Sequence, residues 1–280
     1  MTRTSLMTLV VVLAGCSGNG GTPVQDAGPM ITRTSLTPPN GIQFDVGRFS
    51  PDGTKIALHY STLGMGSQDF IGTIDSAGAN LTFLADAGTY LASTAWGPNG
   101  TDVYFTDDEG IARVPAAGGA ITRLATPFAA MDLDVSRDGT LITYTTNGSA
   151  NVRQLVPADG GMGTLRAGTA ARISPDGTWL AFIDDGADGK EHFFIAPLAS
   201  GATATDLGLA DTYLASVAWF SDGLSLAATS DDHVEIIGVD GGHRVVYDTG
   251  AATGVDVSRD GTKILYRVNG QTGLFVLTGF

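Results

Sequence analysis

The sequence predicts an all-β fold, a six-bladed β-propeller of four-stranded antiparallel blades, and three observations predict it. A polar tetrapeptide ending in glycine recurs six times between short apolar strands. Its glycines, Gly53, Gly100, Gly139, Gly177, Gly223 and Gly261, lie 47, 39, 38, 46 and 38 residues apart, roughly the length of one four-stranded blade. No apolar pattern of 3.6-residue period, which a helical solenoid of similar repeat length would need, follows residue 16.

Taken from the N-terminus, residues 1–15 read as an export signal. Arg3 precedes an apolar run, Leu6 to Ala14, that is too short to span a bilayer. Leu13-Ala14-Gly15-Cys16 resembles the lipobox of bacterial lipoproteins, which implies cleavage before Cys16 and its acylation. Cys16 is the single cysteine of the chain, so neither a disulfide nor a thiol within the repeats accounts for it. Residues 16–28, rich in Gly, Asn, Asp and Pro, are expected to form a flexible tether to a propeller over 29–280. Ser17, with no acid beside Cys16, implies by the same resemblance an exported lipoprotein of the outer membrane, on the periplasmic side or at the cell surface.

Met30 to Leu36 resembles Ala120 to Leu124, the segment that closes the second blade. The last repeat ends at Leu274 to Leu277 with three residues to follow, so its outermost strand is missing. The N-terminal strand is therefore expected to complete blade six and leave no exposed sheet edge at the seam.

The tetrapeptides make the hairpins. In Ser50-Pro51-Asp52-Gly53 and Ser174-Pro175-Asp176-Gly177, proline pre-sets φ for a type I turn, aspartate can bond its own backbone, and glycine supplies φ > 0. Gly97 to Gly100, Ser136 to Gly139, Phe220 to Gly223 and Ser258 to Gly261 vary the theme. The flanks read as strands: Lys55 to Tyr60, Thr101 to Thr106, Leu141 to Thr145, Trp179 to Ile183 and Lys263 to Tyr266. Ile56-Ala57-Leu58 and Leu180 to Ile183 are continuous apolar runs, as expected where stacked blades bury both faces of a strand.

Three blades are duplicated. Arg48 to Thr54 recurs at Arg172 to Thr178, Thr89 to Ser93 at Thr212 to Ser216, and Asp134 to Thr140 at Asp256 to Thr262, with offsets of 124, 123 and 122 residues. The residue five before each turn glycine follows the same duplication: Arg48, Ala95, Asp134, Arg172, Ala218, Asp256. These positions fall on innermost strands. Asp134 is expected to pair with Arg172, and Asp256 with Arg48 across the ring closure, since charges in a partly buried site persist when paired. Truncating Asp256 is expected to destabilise the ring more than truncating a surface residue such as Asp52.

No nucleophile elbow, phosphate-binding loop, paired-cysteine metal signature or H-E-x-x-H is present, and no catalytic residue is named. His59 ends an inner strand, His192 opens a third strand, and His233 and His243 flank the third strand of blade five; all are read as structural. The loops from second to third strands are acidic: Asp107, Asp108 and Glu109 in blade two; Asp184, Asp185 and Asp188 in blade four; Asp231 and Asp232 in blade five. With Tyr90 and Tyr213 near the same face, they form either a binding face or a solubilising rim. Metal ligation is not predicted. The one cofactor considered is calcium at Asp184 to Gly189, a loop that lacks the distal Glu of an EF-hand. Net charge is −14 with three lysines, which argues against nucleic-acid partners.

Phe49-Ser50-Pro51-Asp52-Gly53-Thr54-Lys55-Ile56-Ala57-Leu58 resembles the repeat of TolB-like propellers, the WD-repeat-like propeller repeats, and the likeness extends from about residue 30 to 280. The resemblance implies a non-enzymatic, monomeric scaffold in the cell envelope whose partner is an envelope protein or peptide. The alternative class is a propeller enzyme or small-ligand binder using the central channel, as a hydrolase or sugar dehydrogenase.

Overall fold

The computed structural model describes residues 30–88, 93–125, 129–146, 151–158, 160–199, 201–210, 215–230 and 232–280. A lone strand, β1 (Thr32–Leu36), comes first. Blade one is β2 (Ile42–Phe49), β3 (Lys55–Thr62), β4 (Asp69–Asp75) and β5 (Thr82–Gly88). Blade two is β6 (Thr94–Trp96), β7 (Asp102–Asp107), β8 (Gly110–Pro115) and β9 (Thr122–Ala125). Blade three is β10 (Ala130–Val135), β11 (Ile142–Thr146), β12 (Asn151–Val156) and β13 (Gly161–Ala167). Blade four is β14 (Thr169–Ile173), β15 (Trp179–Asp185), β16 (Glu191–Pro197) and β17 (Thr205–Leu209). Blade five is β18 (Ser216–Trp219), β19 (Ser225–Thr229), β20 (His233–Gly238) and β21 (His243–Asp248). Blade six supplies β22 (Ala252–Val257), β23 (Lys263–Val268) and β24 (Leu274–Thr278), and β1 pairs with β24 as its fourth strand. The fold is a six-bladed β-propeller, closed from the N-terminal side.

The six tetrapeptides behave alike. Every turn glycine has φ between 68° and 73° and donates its N–H to the carbonyl three residues back, at 2.8–3.1 Å. The Gly97 and Phe220 turns close in the same way as the four that begin with serine. In those four, the serine hydroxyl donates to the aspartate Oδ1 at 2.6 Å, and the aspartate accepts from the following threonine. These bonds hold the exposed carboxylates of Asp52 and Asp138 below the usual range and those of Asp176 and Asp260 at about 2.

The core lies between blades. Phe44, Phe49, Ile56 and Leu58 of blade one pack on Leu265, Leu274 and Val276 of blade six and on Leu36 of β1. At the seam, the Arg33 guanidinium lies 3.6 Å from the Phe275 ring centroid and donates to the Tyr266 hydroxyl at 2.7 Å. The duplication is structural as well. Trp96 Nε1 donates to the Arg48 carbonyl at 2.9 Å, and Trp219 Nε1 to the Arg172 carbonyl at 3.0 Å. Ser93 Oγ accepts from Leu133 N–H, and Ser216 Oγ from Val255 N–H.

Candidate functional site

The innermost strands line the channel, and their register sets what reaches it. Those of blades one, three, four and six each shift register in mid-strand, just before the charged position: Phe44/Gly47, Met131/Asp134, Thr169/Arg172 and Thr253/Asp256. The innermost strands of blades two and five, which carry Ala95 and Ala218, pair without a break. A bulge re-aims the side chain that follows it, so the four charges turn inward by the same device. Asp132 in blade three, Ala170 in blade four and Gly254 in blade six take left-handed backbone at these shifts, with φ of 53°, 51° and 63°, whereas blade one shifts without it.

The expected partners act on each other, Arg48 on Asp256 and Arg172 on Asp134, but as separated charges rather than direct ion pairs. No guanidinium nitrogen of Arg48 or Arg172 comes within 4.0 Å of a carboxylate oxygen of Asp134 or Asp256. Each carboxylate does cross to the expected neighbouring blade, but it accepts the backbone N–H of the residue after the arginine. Asp256 Oδ2 accepts from Phe49 N–H at 2.7 Å, and Asp134 Oδ2 from Ile173 N–H at 2.8 Å. The arginines donate to carbonyls: Arg48 Nη1 to Val255 O at 2.7 Å, Arg172 Nη1 to Ala171 O at 2.7 Å and to Asp132 O at 3.3 Å. The bulge brings the carboxylate level with the neighbour's backbone rather than with its guanidinium. The blade-one to blade-six seam has a different ion pair, Arg267 Nη2 to Asp45 Oδ1 at 3.4 Å.

Burial dominates the electrostatics of this group. It pushes the Asp256 carboxyl up to about 6, against the pull of Arg48 and the bond from Phe49 N–H, and pushes Asp134 up in the same direction. Burial, reinforced by the like charge of Arg48, brings the Arg172 guanidinium down to about 10. Arg48 and Arg172 keep 6% and 8% of their surface, and the Nε of each is buried without a hydrogen-bond partner.

Above them on the turn side stand Arg137 and Arg259, the second residues of the turns in blades three and six, where blades one and four have proline. Both are exposed. Partial burial, and then Arg259, lower the proton affinity of Arg137. Two recesses open here. One of about 150 Å³ is lined by Arg48, Asp134, Arg137, Asp256 and Arg259; the other, of about 140 Å³, by Asp134, Arg137, Arg172, Trp219 and Asp256.

The opposite face carries the acidic loops, and most of their charges have partners. Arg123 holds Asp107 through two bonds, at 2.6 and 2.9 Å, and Glu109 at 2.8 Å. His192 lies between Asp206, 2.8 Å from Nδ1, and Asp188, 3.1 Å from Nε2; the Asp206 bond raises its pKa. Asp184 accepts the N–H of Asp185, and Asp188 accepts the N–H of Lys190. Asp232 Oδ1 lies 2.5 Å from His233 Nδ1. His59 lies inside β3, not at its end, between Asp45 and Asp69 at 3.4 Å each. His243 bonds Glu235 and the Leu207 carbonyl. Asp108, Glu109, Asp185 and Asp232 remain exposed. Among the described residues, no three His, Cys, Asp or Glu side chains are grouped to hold a metal ion. Cys16, Tyr90, Tyr213 and Asp231 lie outside the described residues, and no described helix is long and apolar enough to cross a membrane.

Sequence reasoning missed two features. Arg137 and Arg259 were passed over as turn residues, although the change from Ser-Pro-Asp-Gly to Ser-Arg-Asp-Gly in alternate positions of the duplication was a visible signal. Leu63 and Met65, in the loop between β3 and β4 on the acidic face, project at 51% and 105% exposure.

Comparison with known proteins places the architecture. No protein-family model matches the chain, and no match to a protein of curated function is found. Among solved structures, TolB from Acinetobacter baumannii superposes with a TM-score of 0.57 at 14% identity, over 84% of this chain and 54% of that one. The chain thus spans about half the length of that protein. A gluconolactonase from Xanthomonas campestris gives 0.66 at 17% identity, over 89% of each chain. A calcium-binding regucalcin from Agrobacterium tumefaciens gives 0.64 at 15% identity, over 88% of this chain and 92% of that one. Fold and site together define a six-bladed propeller with an arginine-lined channel mouth on one face and an acidic rim on the other. Its solved neighbours, TolB-like propellers among them, include both binding proteins and enzymes.

Proposed function

We propose that this chain is a non-catalytic, exported scaffold that binds an envelope protein or peptide through the acidic rim. The observation that carries the reading is the composition of that rim. Exposed carboxylates of blades two, four and five share that face with Leu63 and Met65 of blade one, two apolar side chains left in water. The channel supports a binding role over a catalytic one. Asp134 and Asp256 are committed to backbone N–H groups of the next blade and lie among guanidiniums, a poor setting for a general base or a cation ligand. A lipid anchor at Cys16 belongs to the same reading, on the lipobox resemblance.

Crosslinking in intact cells followed by mass spectrometry tests it, comparing wild type with a variant carrying Leu63→Ser, Met65→Ser, Glu109→Gln, Asp185→Asn and Asp232→Asn. A defined envelope protein captured by wild type and lost in the variant is the expected outcome. Equal capture by both overturns the rim as the interface.

A further inference from the structure

We propose that the turn-side channel mouth binds a small oxyanion of two negative charges, a phosphate or a dicarboxylate. Four of the twelve arginines, Arg48, Arg137, Arg172 and Arg259, line two adjoining recesses in a chain whose net charge is −14. The two carboxylates among them, Asp134 and Asp256, each accept a backbone N–H, and the balance of the group is two positive charges. The nearby turn carboxylates are drawn away: Asp52, Asp138, Asp176 and Asp260 are held by the Ser and Thr of their own turns.

The arginine charges are incompletely compensated where they stand. The guanidiniums of Arg48 and Arg172 are more than nine-tenths buried, and the Nε donor of each has no partner. Each pair of like charges opposes itself: Arg48 depresses the proton affinity of Arg172, and Arg259 that of Arg137. Turn formation does not explain the outer pair, since the Ser-Pro turns of blades one and four close with the same hydrogen bond as the Ser-Arg turns of blades three and six. Guanidiniums are suited to forked contacts with phosphate or carboxylate oxygens. The two recesses are nearly equal in volume and share Asp134, Arg137 and Asp256, so the site has room for a small anion but not for a folded partner. It is independent of the rim, which lies on the opposite face.

Isothermal titration of the exported protein with sodium phosphate and with sodium succinate, each against sodium chloride at matched ionic strength, tests the site. Wild type and an Arg244→Gln/Lys190→Gln control are expected to bind one or both anions saturably. Arg137→Gln/Arg259→Gln, at exposed positions, is expected to weaken binding at least ~10-fold through the lost charge-assisted bonds. Arg137→Gln alone serves if the double variant does not fold. Which anion binds more tightly distinguishes a phosphate site from a dicarboxylate site. No saturable binding beyond chloride, or binding unchanged by the mouth substitutions, overturns the proposal, and either result leaves the rim reading as it stands.

Discussion

The two faces of the propeller treat charge in opposite ways. On the acidic rim, charges meet partners in solvent: Asp107 takes a forked arginine, and His192 stands between two aspartates. At the channel mouth, the inner arginines are buried and the inner aspartates half-buried, bonded to backbone instead of to each other, with the arginines held near their own like charges. The teaching is that an abundance of one charge in sequence marks solubility as readily as recognition, whereas a few charges placed against their solvation require a structural or ligand-based reason.

The largest effect is expected in the channel. Asp256→Ala leaves the Phe49 N–H without its acceptor and Arg48 without a compensating charge, and is expected to cost about 2–4 kcal/mol by chemical denaturation. Asp256→Asn, which can still accept that N–H, is expected to cost less. Near-equal stability of Asp256→Ala and wild type would erase the distinction between the two faces. Asp52 is a poor surface control, because its carboxylate organises a turn; Asp185 is the better one.

The second test is pH. The folded Asp256 carboxyl is raised to about 6 from 3.8, so between those values the folded protein holds a proton that the unfolded chain has lost. Stability from this group therefore falls as pH rises from about 4 to about 6, by up to roughly 2–3 kcal/mol, and the fall is expected to be absent in Asp256→Asn. The turn carboxylates have the opposite sign: their stabilisation is present above about pH 4 and is lost as pH falls towards 2. Denaturation midpoints of wild type and Asp256→Asn between pH 2 and 7 separate these contributions.

Smaller effects belong to the rim. Asp107→Asn, which loosens the fork from Arg123, is expected to cost about 0.5–1.5 kcal/mol. Asp206→Asn is expected to lower the His192 pKa, read by NMR titration, because the Asp206 bond is the main cause of its elevation. In wild type, that pair stabilises the fold below about pH 6.5 and the benefit is lost as pH rises through the folded pKa. Glu109→Gln and Asp185→Asn are expected to change stability by no more than ~0.5 kcal/mol.

The architecture was legible because its signals are local. A turn glycine with positive φ, an aspartate that bonds two residues onward and apolar runs between them repeat six times, and each copy reinforces the reading of the others. Strand ends were read one or two residues short, as at β3, which continues to Thr62 where Tyr60 was expected to end it. The site was less legible, because a bulge is invisible in a strand pattern of period two. Arg48, Asp134, Arg172 and Asp256 were placed correctly on innermost strands, yet the register shift that aims them also moves each carboxylate past the guanidinium it was expected to meet. The pairing of Asp107 with Arg123 spans 16 residues and two strands, a distance over which sequence alone gives no register.

The strand that closes blade six has an orientational consequence. β1 runs antiparallel to β24, with Thr32 opposite Thr278 and Leu36 opposite Leu274, so the chain enters the ring at the outer edge of blade six on the face of the glycine turns. An attachment through Cys16 would thus leave the ring from the face of the arginine mouth, opposite the acidic rim. Any load on that attachment would be borne first by the β1–β24 ladder and by Arg33 against Phe275, the one place where the ring is held shut without a covalent link.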